Sequence, residues 1–244
     1  MASFFSIYYL VLFLPVMVIV YNLCPKKYRP AVLIVGSYVY FYSISGKLLM
    51  YLLFSTMSIH HIGLWLTDIQ NQRNLALKEA LKEEKKAIKS EYLKKQRKVL
   101  TFGVLIHLGI LLIVKYTPFF ATNINTLFGA LGVNITLTIP KIMMPIGISF
   151  YTLQAVSYIF DVYRETIQAD KNICRLALYM SFFPQIMEGP ISRYSDTAMN
   201  LYKGERTTYT NLTLGLQRIL FAISNSHLNL TIFLVNQDVT LIIP

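Results

Sequence analysis

Apolar residues along this chain fall in long runs separated by short polar stretches. Ser3 to Leu23 is apolar for 21 residues, enough to cross a hydrocarbon core of about 30 Å. The run starts without Lys or Arg and shows no small-residue cleavage site, so it predicts a retained span and not a signal peptide. Pro25-Lys26-Lys27-Tyr28-Arg29-Pro30 predicts a short basic turn. Ala31 to Ser45, rich in Tyr, predicts a second, rather short segment, and Lys47 to Thr67 a third, with Trp65 near an interface. From Asp68 to Lys98 the pattern changes. Leu75, Leu77, Ala80, Leu81, Ala87, Ile88, Tyr92 and Leu93 recur at roughly helical spacing among Lys and Glu. This predicts an amphipathic helix along or just beneath a membrane surface, and a solvated charged helix fits equally.

Val99 to Tyr116 predicts the next span. Residues 117–141, uncharged before Lys141 and punctuated by Pro118, Gly129, Gly132 and Pro140, predict a loop on the outer side. Met143 to Phe160 predicts another span, and Asp161 to Arg175 is polar. Leu176 to Ile191 is apolar but broken by Pro184, Gly189 and Pro190. Arg193 to Arg218 is polar and amphipathic, and the tail from Phe221 is mostly apolar again. The expected fold is all-α, a polytopic integral membrane protein.

Composition narrows the alternatives. Of 244 residues, 55% are apolar and 14% charged, against about 25% charged in a soluble domain. Soluble, disordered and fibrous classes are excluded. Cys24 and Cys174 are too few for a disulfide framework. The net charge of +11 is local: residues 71–100 hold ten Lys/Arg and four Glu. Such clusters mark cytoplasmic segments and attract anionic lipid. Flanking apolar spans and few interleaved aromatics argue against nucleic acid. Residues 24–30 and 68–98 are both basic and separated by two spans, which places both in the cytoplasm and the N-terminus outside.

Candidate chemistry is sparse. His60 and His61 are adjacent, so on a helix they diverge by about 100° and cannot share a ligand site. His107 sits alone in a span and His227 in the tail, and none has Glu or His at i+3 or i+4. Packing is the expectation for all four. No nucleophile elbow, P-loop or dinucleotide fingerprint is present. Two places say more. Gln154, Ser157, Tyr158 and Asp161 share one helical face in a span, as a watery cavity or an interhelical hydrogen-bonding seam requires. In Phe182-Phe183-Pro184-Gln185-Ile186-Met187-Glu188-Gly189-Pro190-Ile191 the prolines and glycine break the helix. Broken backbone at membrane depth is tolerated only inside protein or along a cavity, so a passage or pocket is expected here.

The stretch Met144-Pro145-Ile146-Gly147-Ile148-Ser149-Phe150-Tyr151-Thr152-Leu153-Gln154, then Ser157-Tyr158-Ile159-Phe160-Asp161-Val162-Tyr163-Arg164, resembles the signature of membrane-bound O-acyltransferases. So do Phe182-Phe183-Pro184-Gln185 with Glu188-Gly189-Pro190-Ile191-Ser192-Arg193-Tyr194, and the Lys115-Tyr116 span end after its basic loop. The branch it most resembles is the bacterial alginate O-acetyltransferase type, with the D-alanine transfer protein of teichoic acids nearer than the sterol or lipid enzymes. The likeness runs to about Leu220. It implies helices around a funnel, and a multi-pass protein of the bacterial cell membrane. An acyl group from a cytoplasmic donor, acyl-CoA or acyl carrier protein, would pass toward a polysaccharide acceptor, with help from an extracellular or periplasmic partner protein. No bound cofactor or metal is implied. The funnel residues would be Gln154, Ser157, Tyr158, Asp161, Arg164, Pro184, Gln185, Glu188, Gly189, Pro190 and Arg193.

One departure stands against the match. The family's catalytic histidine lies beyond the matched region, and none of the four histidines occupies that position. Residues 1–220 then read as the N-terminal part of an acyltransferase domain, and residues 221–244 as a divergent tail. Truncation by frameshift or premature stop, leaving an inactive form, is the expectation. A non-enzymatic transport or scaffold subunit is the rival, and a lipid- or nucleic-acid-binding membrane protein ranks last.

Overall fold

A computed structural model describes residues 9–46, 49–131, 147–186, 193–221 and 224. Among the described residues there is no strand. The chain divides into two units, Met1–Gly204 and Glu205–Pro244. In the second, residues 209–221 are helical.

In the first unit a π-helical turn, Tyr9–Phe13, leads into α1 (Leu14–Leu23). Pro25 and a short 3-10 turn, Lys26–Tyr28, reverse the chain into α2 (Arg29–Ser45). Pro30 occupies the first turn of α2, where no backbone donor is required of it. Then follow α3 (Leu49–Glu79), α4 (Lys85–Ala130), α5 (Ile148–Tyr163), α6 (Ile173–Ser181), α7 (Phe183–Ile186) and α8 (Tyr194–Tyr202).

The region Asp68–Lys98 is not one amphipathic helix. It is the end of α3 and the start of α4, separated by the turn at Ala80–Glu84. The reason is a buried stripe that ignores the change of polarity. In α3, Leu52, Ser55, Ile59, Ile62, Leu66, Ile69 and Arg73 recur every three or four residues and are buried throughout. In α4 the stripe is Gln96, Val99, Gly103 and His107. The basic part of α4 is thus continuous with its apolar part. A helix whose apolar part crosses a membrane carries its basic end away from the surface, not along it.

The outer loop expected from Thr117 is helical as far as Ala130, with Pro118 inside α4. The hydroxyls of Thr117, Thr122 and Thr126 donate to the carbonyls of Ile113, Pro118 and Thr122, and the Asn123 amide donates to Phe119. These four side chains all donate within their own helix, which lowers the cost of placing them in a solvent that offers no hydrogen bonds. Around them Leu112, Ile113, Phe119, Phe120 and Leu127 are exposed. Residues 132–146 lie outside the described residues.

The core forms where α3, α4 and α5 meet, with α6 packed on α2, α3 and α8. Gly63 and Gly103 bring the first three together. A Cβ on Gly63 would lie 3.2 Å from Tyr158 Cε1, and one on Gly103 3.2 Å from side-chain carbons of Ile62 and Ile159. Leu52, Ile59, Leu66, Tyr151, Tyr158, Ile159, Leu176 and Tyr179 are fully or almost fully buried there.

One end of the bundle gathers polar loops. Arg29 donates from Nε to the Cys24 carbonyl and from Nη1 to that of Gly204. Asn172 donates to Tyr202, and Arg73 binds Glu165. The basic turn, the end of α3, loop 164–172 and the end of α8 therefore lie together. Gly204 has φ +61°, and a Cβ there would come within 2.8 Å of the Lys26 carbonyl. Helices α3 and α4 are long and apolar enough to cross a membrane, and the protein is an all-α membrane protein.

Candidate functional site: a polar seam at the helix break

The polar face of α5 enters a packed seam. Gln154 is buried, and its Nε2 donates to the Tyr179 carbonyl at 2.9 Å. Tyr158 is fully buried, and its hydroxyl accepts from the Asp170 amide at 3.0 Å. Ser157 and Asp161 are half-buried at the margin. Of the two readings of this face, the structure places Gln154 and Tyr158 in a hydrogen-bonded seam. Tyr151, three residues before Gln154 and on the same face, is also fully buried, with a hydroxyl that has no hydrogen-bond partner. Sequence reasoning passed over it because a tyrosine in an apolar run reads as packing.

The helix break is satisfied by side chains from elsewhere. Tyr179 lies in the last turn of α6, where carbonyls run out of backbone donors. Gln154 of α5 donates to its carbonyl. Just past the break, the Phe183 amide donates to the Ser37 hydroxyl of α2 at 3.2 Å, and both residues are buried. A kink of this kind survives in an apolar setting because neighbouring helices re-satisfy the freed backbone. Pro184 is exposed and Gln185 half-buried in α7. Glu188, Gly189 and Pro190 lie outside the described residues. Arg164 and Arg193 are exposed, Arg193 preceding the first turn of α8.

Behind the break sits Asp170, whose side chain is 9% exposed. Its carboxylate accepts from the Asn172 amide at 2.8 Å and from the Tyr194 hydroxyl, and lies 3.2 Å from Arg175 Nε. Burial first, and then the hydrogen bond to Asp170, pushes the Tyr194 hydroxyl above the ordinary tyrosine value, so it remains the donor. The Tyr194 ring packs against Tyr158 and Tyr179 with centroids 5.0 and 5.1 Å away. Asn172 caps α6, its Oδ1 accepting from the amides of Cys174 and Arg175. The loop before it is pinned by one face of α3. Gln70 donates to the Val162 carbonyl, Thr67 accepts from Ala169, and His60 Nε2 is 3.4 Å from the Lys171 carbonyl. Sequence reasoning quoted Tyr194 within a motif but missed its partner Asp170, which a polar loop gives no reason to single out.

The described histidines each lie against a backbone carbonyl, and of the three only His107 is buried. His107 is buried, with Nδ1 2.8 Å from the Gly103 carbonyl. A carbonyl only accepts, so Nδ1 carries the proton. His61 Nδ1 contacts the Met57 carbonyl at 2.7 Å in the same way. His227 lies outside the described residues. Two surface depressions follow α4: an apolar one of about 360 Å³ between Leu112, Ile113, Thr117, Phe120, Ala121 and Ile124, and a basic one of about 290 Å³ between Lys86, Lys89, Ser90, Leu93, Lys94 and Arg97. The seam itself offers an amide, phenols, a carboxylate and a guanidinium. These groups pair with one another or with backbone.

The chain is similar to the probable alginate O-acetylase AlgI of Azotobacter vinelandii, 30% identical over 195 residues, which cover 79% of this chain and 34% of that protein. It is 30% identical over 193 residues to the probable alginate O-acetylase AlgI of Pseudomonas aeruginosa, covering 79% of this chain and 33% of the relative. The peptidoglycan O-acetyltransferase of Helicobacter pylori is 30% identical over 144 residues, 48% of this chain and 26% of that protein. The chain thus spans about a third of the length of the first two relatives. No protein-family model and no solved structure matches it.

Proposed function

Because this chain is a homologue of the bacterial alginate O-acetylases, of the membrane-bound O-acyltransferase type, we propose that it belongs to the machinery that carries an acetyl group from a cytoplasmic thioester donor toward hydroxyls of an extracellular polysaccharide. The observation that carries this reading is the similarity spread over 79% of the chain. The side-chain-capped break between α6 and α7 supports a passage beside it, past the half-buried Gln185 and the exposed Arg193. In the reaction the donor's C–S bond breaks, an ester C–O bond forms to the sugar hydroxyl, and the hydroxyl proton leaves through a base to the departing thiol.

That base is not apparent in the described residues. His107 is buried with its Nδ1 on Gly103, and His61 bonds its own helix. We therefore read these 244 residues as a passage and scaffold that does not transfer acyl groups by itself. An extracellular partner protein would complete the hand-over. The orientation that fits puts the polar end of the bundle in the cytoplasm and the N-terminus outside, in a multi-pass arrangement.

The test reconstitutes the purified chain with radiolabelled acetyl-CoA and alginate, and separately with an acyl-CoA analogue carrying a photoreactive acyl group. No ester on the polysaccharide is expected, together with photolabelling between residues 182 and 193. Measurable transfer overturns the inactivity, and labelling confined to other segments overturns the passage. An impermeant maleimide, expected to reach the exposed Cys174 from the cytoplasmic side alone, tests the orientation.

A further inference from the structure

We propose that the basic end of α4 is a docking surface for an acidic helix of a soluble protein. Lys86, Lys89, Lys94 and Arg97 follow one another at i, i+3, i+8 and i+11, all exposed, along the groove of about 290 Å³ that also holds Ser90 and Leu93. They lie on one side of the helix, opposite the buried Val99, with the buried Gln96 two turns along from Lys89 at the edge of the patch. Of the acids nearby, Glu91 pairs with Lys95 at 2.7 Å and Glu165 with Arg73, while Glu83 and Glu84 lie in the turn before the helix starts.

Two lengths select the occupant. At 1.5 Å per residue, Lys89 and Lys86 stand about 15 and 20 Å along the helix from Val99, where the apolar part begins. The headgroup layer is only about 6 Å thick on each side, and screening at physiological salt sets in within about 8 Å. The outer half of the patch therefore projects into water beyond the strong reach of lipid phosphates. The four cations also extend over about 16 Å of helix, too far for a single phosphate group. A parallel or antiparallel helix with carboxylates at matching intervals spans that length, with an apolar residue against Leu93.

The test uses the full chain in phosphatidylcholine nanodiscs and a fluorescent, acidic, amphipathic helical peptide as long as the groove. Anisotropy is expected to report binding that weakens at least about tenfold in the variant K86E/K89E/K94E/R97E, and again on raising the salt. The milder K86Q/K89Q/K94Q/R97Q variant serves if the reversal disturbs folding, and K78E/K82E serves as a charge-matched control. Equal binding by the parent and both groove variants overturns the proposal. So does a photoreactive residue at Ser90 that captures lipid in preference to the peptide in phosphatidylglycerol nanodiscs, because the surface then faces the membrane.

Discussion

Arg73 grips Glu165 with both arms of its guanidinium, Nη1 to Oε1 at 2.7 Å and Nη2 to Oε2 at 2.8 Å. The pair joins the end of α3 to Glu165, two residues past the end of α5, where the backbone turns left-handed with φ +61°. A glutamate at such a φ is uncommon; the amides of Glu165 and Thr166 close the helix end onto the carbonyls of Val162 and Asp161, and the bidentate pair fastens the side chain.

The hydrogen bond from Arg73, helped by the charges of Arg73 and Lys89, keeps the Glu165 carboxyl below the usual carboxylate range. Its folded pKa is depressed, so the stabilisation is complete above the unfolded value of about 4.3 and fades as pH falls through the folded value. The carboxylate is 42% exposed, so the pair is worth about 1 kcal/mol at most. Melting of the detergent-solubilised protein is expected to separate wild type from Glu165→Gln at neutral pH. The two should converge in acid below the folded value.

Gly63 is expected to tolerate no side chain. Alanine there must push back Tyr158 at 3.2 Å and Ala169 at 3.3 Å, at a cost of about 1–3 kcal/mol, and valine more. Thermal melting checks the order: wild type above Gly63→Ala above Gly63→Val. Gly109→Ala, where a Cβ would meet nothing within 4 Å, should melt as the parent does.

Removing either side chain that caps the break should loosen it. Gln154→Leu strips the donor from Tyr179, and Ser37→Ala strips the acceptor from Phe183. Each is expected to cost about 1–3 kcal/mol, the penalty of a buried backbone group left without its partner. Both should raise protease sensitivity near residues 182–186, and a Gln154→Asn variant, too short to reach, should behave as Leu does.

Asn172→Ala is expected to fray the start of α6. It removes the cap on the amides of Cys174 and Arg175 and the bond to Tyr202. A cost of about 1 kcal/mol follows from the cap alone. Faster maleimide reaction at Cys174 provides the readout, and Asn172→Asp should retain the cap.

Much of this was legible in the pattern of residues. The spacing of Gln154 and Tyr158 put them on one face, and they are on one face. Pro184 marked the break at Phe182. What was not legible are relationships across the chain. Nothing about Ser37 marks it as the acceptor for an amide 146 residues away. The extent of α3 was hidden for another reason. Average polarity rises after Thr67, while the buried stripe through Leu66, Ile69 and Arg73 continues unbroken, and a helix follows its stripe. Likewise the residues after Tyr116 read as a loop because Pro118, Gly129, Gly132 and Pro140 punctuate them, yet the helix carries Pro118 inside it and runs on to Ala130, its threonine hydroxyls turned back onto its own carbonyls.

The capped break also sets an order of assembly. Ser37 lies in α2 and Gln154 in α5, so both precede α6 and α7 on the ribosome. The acceptor for Phe183 and the donor for Tyr179 are in place before the segment that needs them is made. A chain synthesised from its N-terminus thus never has to hold an unsatisfied break in lipid, whereas a rearranged chain that makes α6 and α7 first would have to.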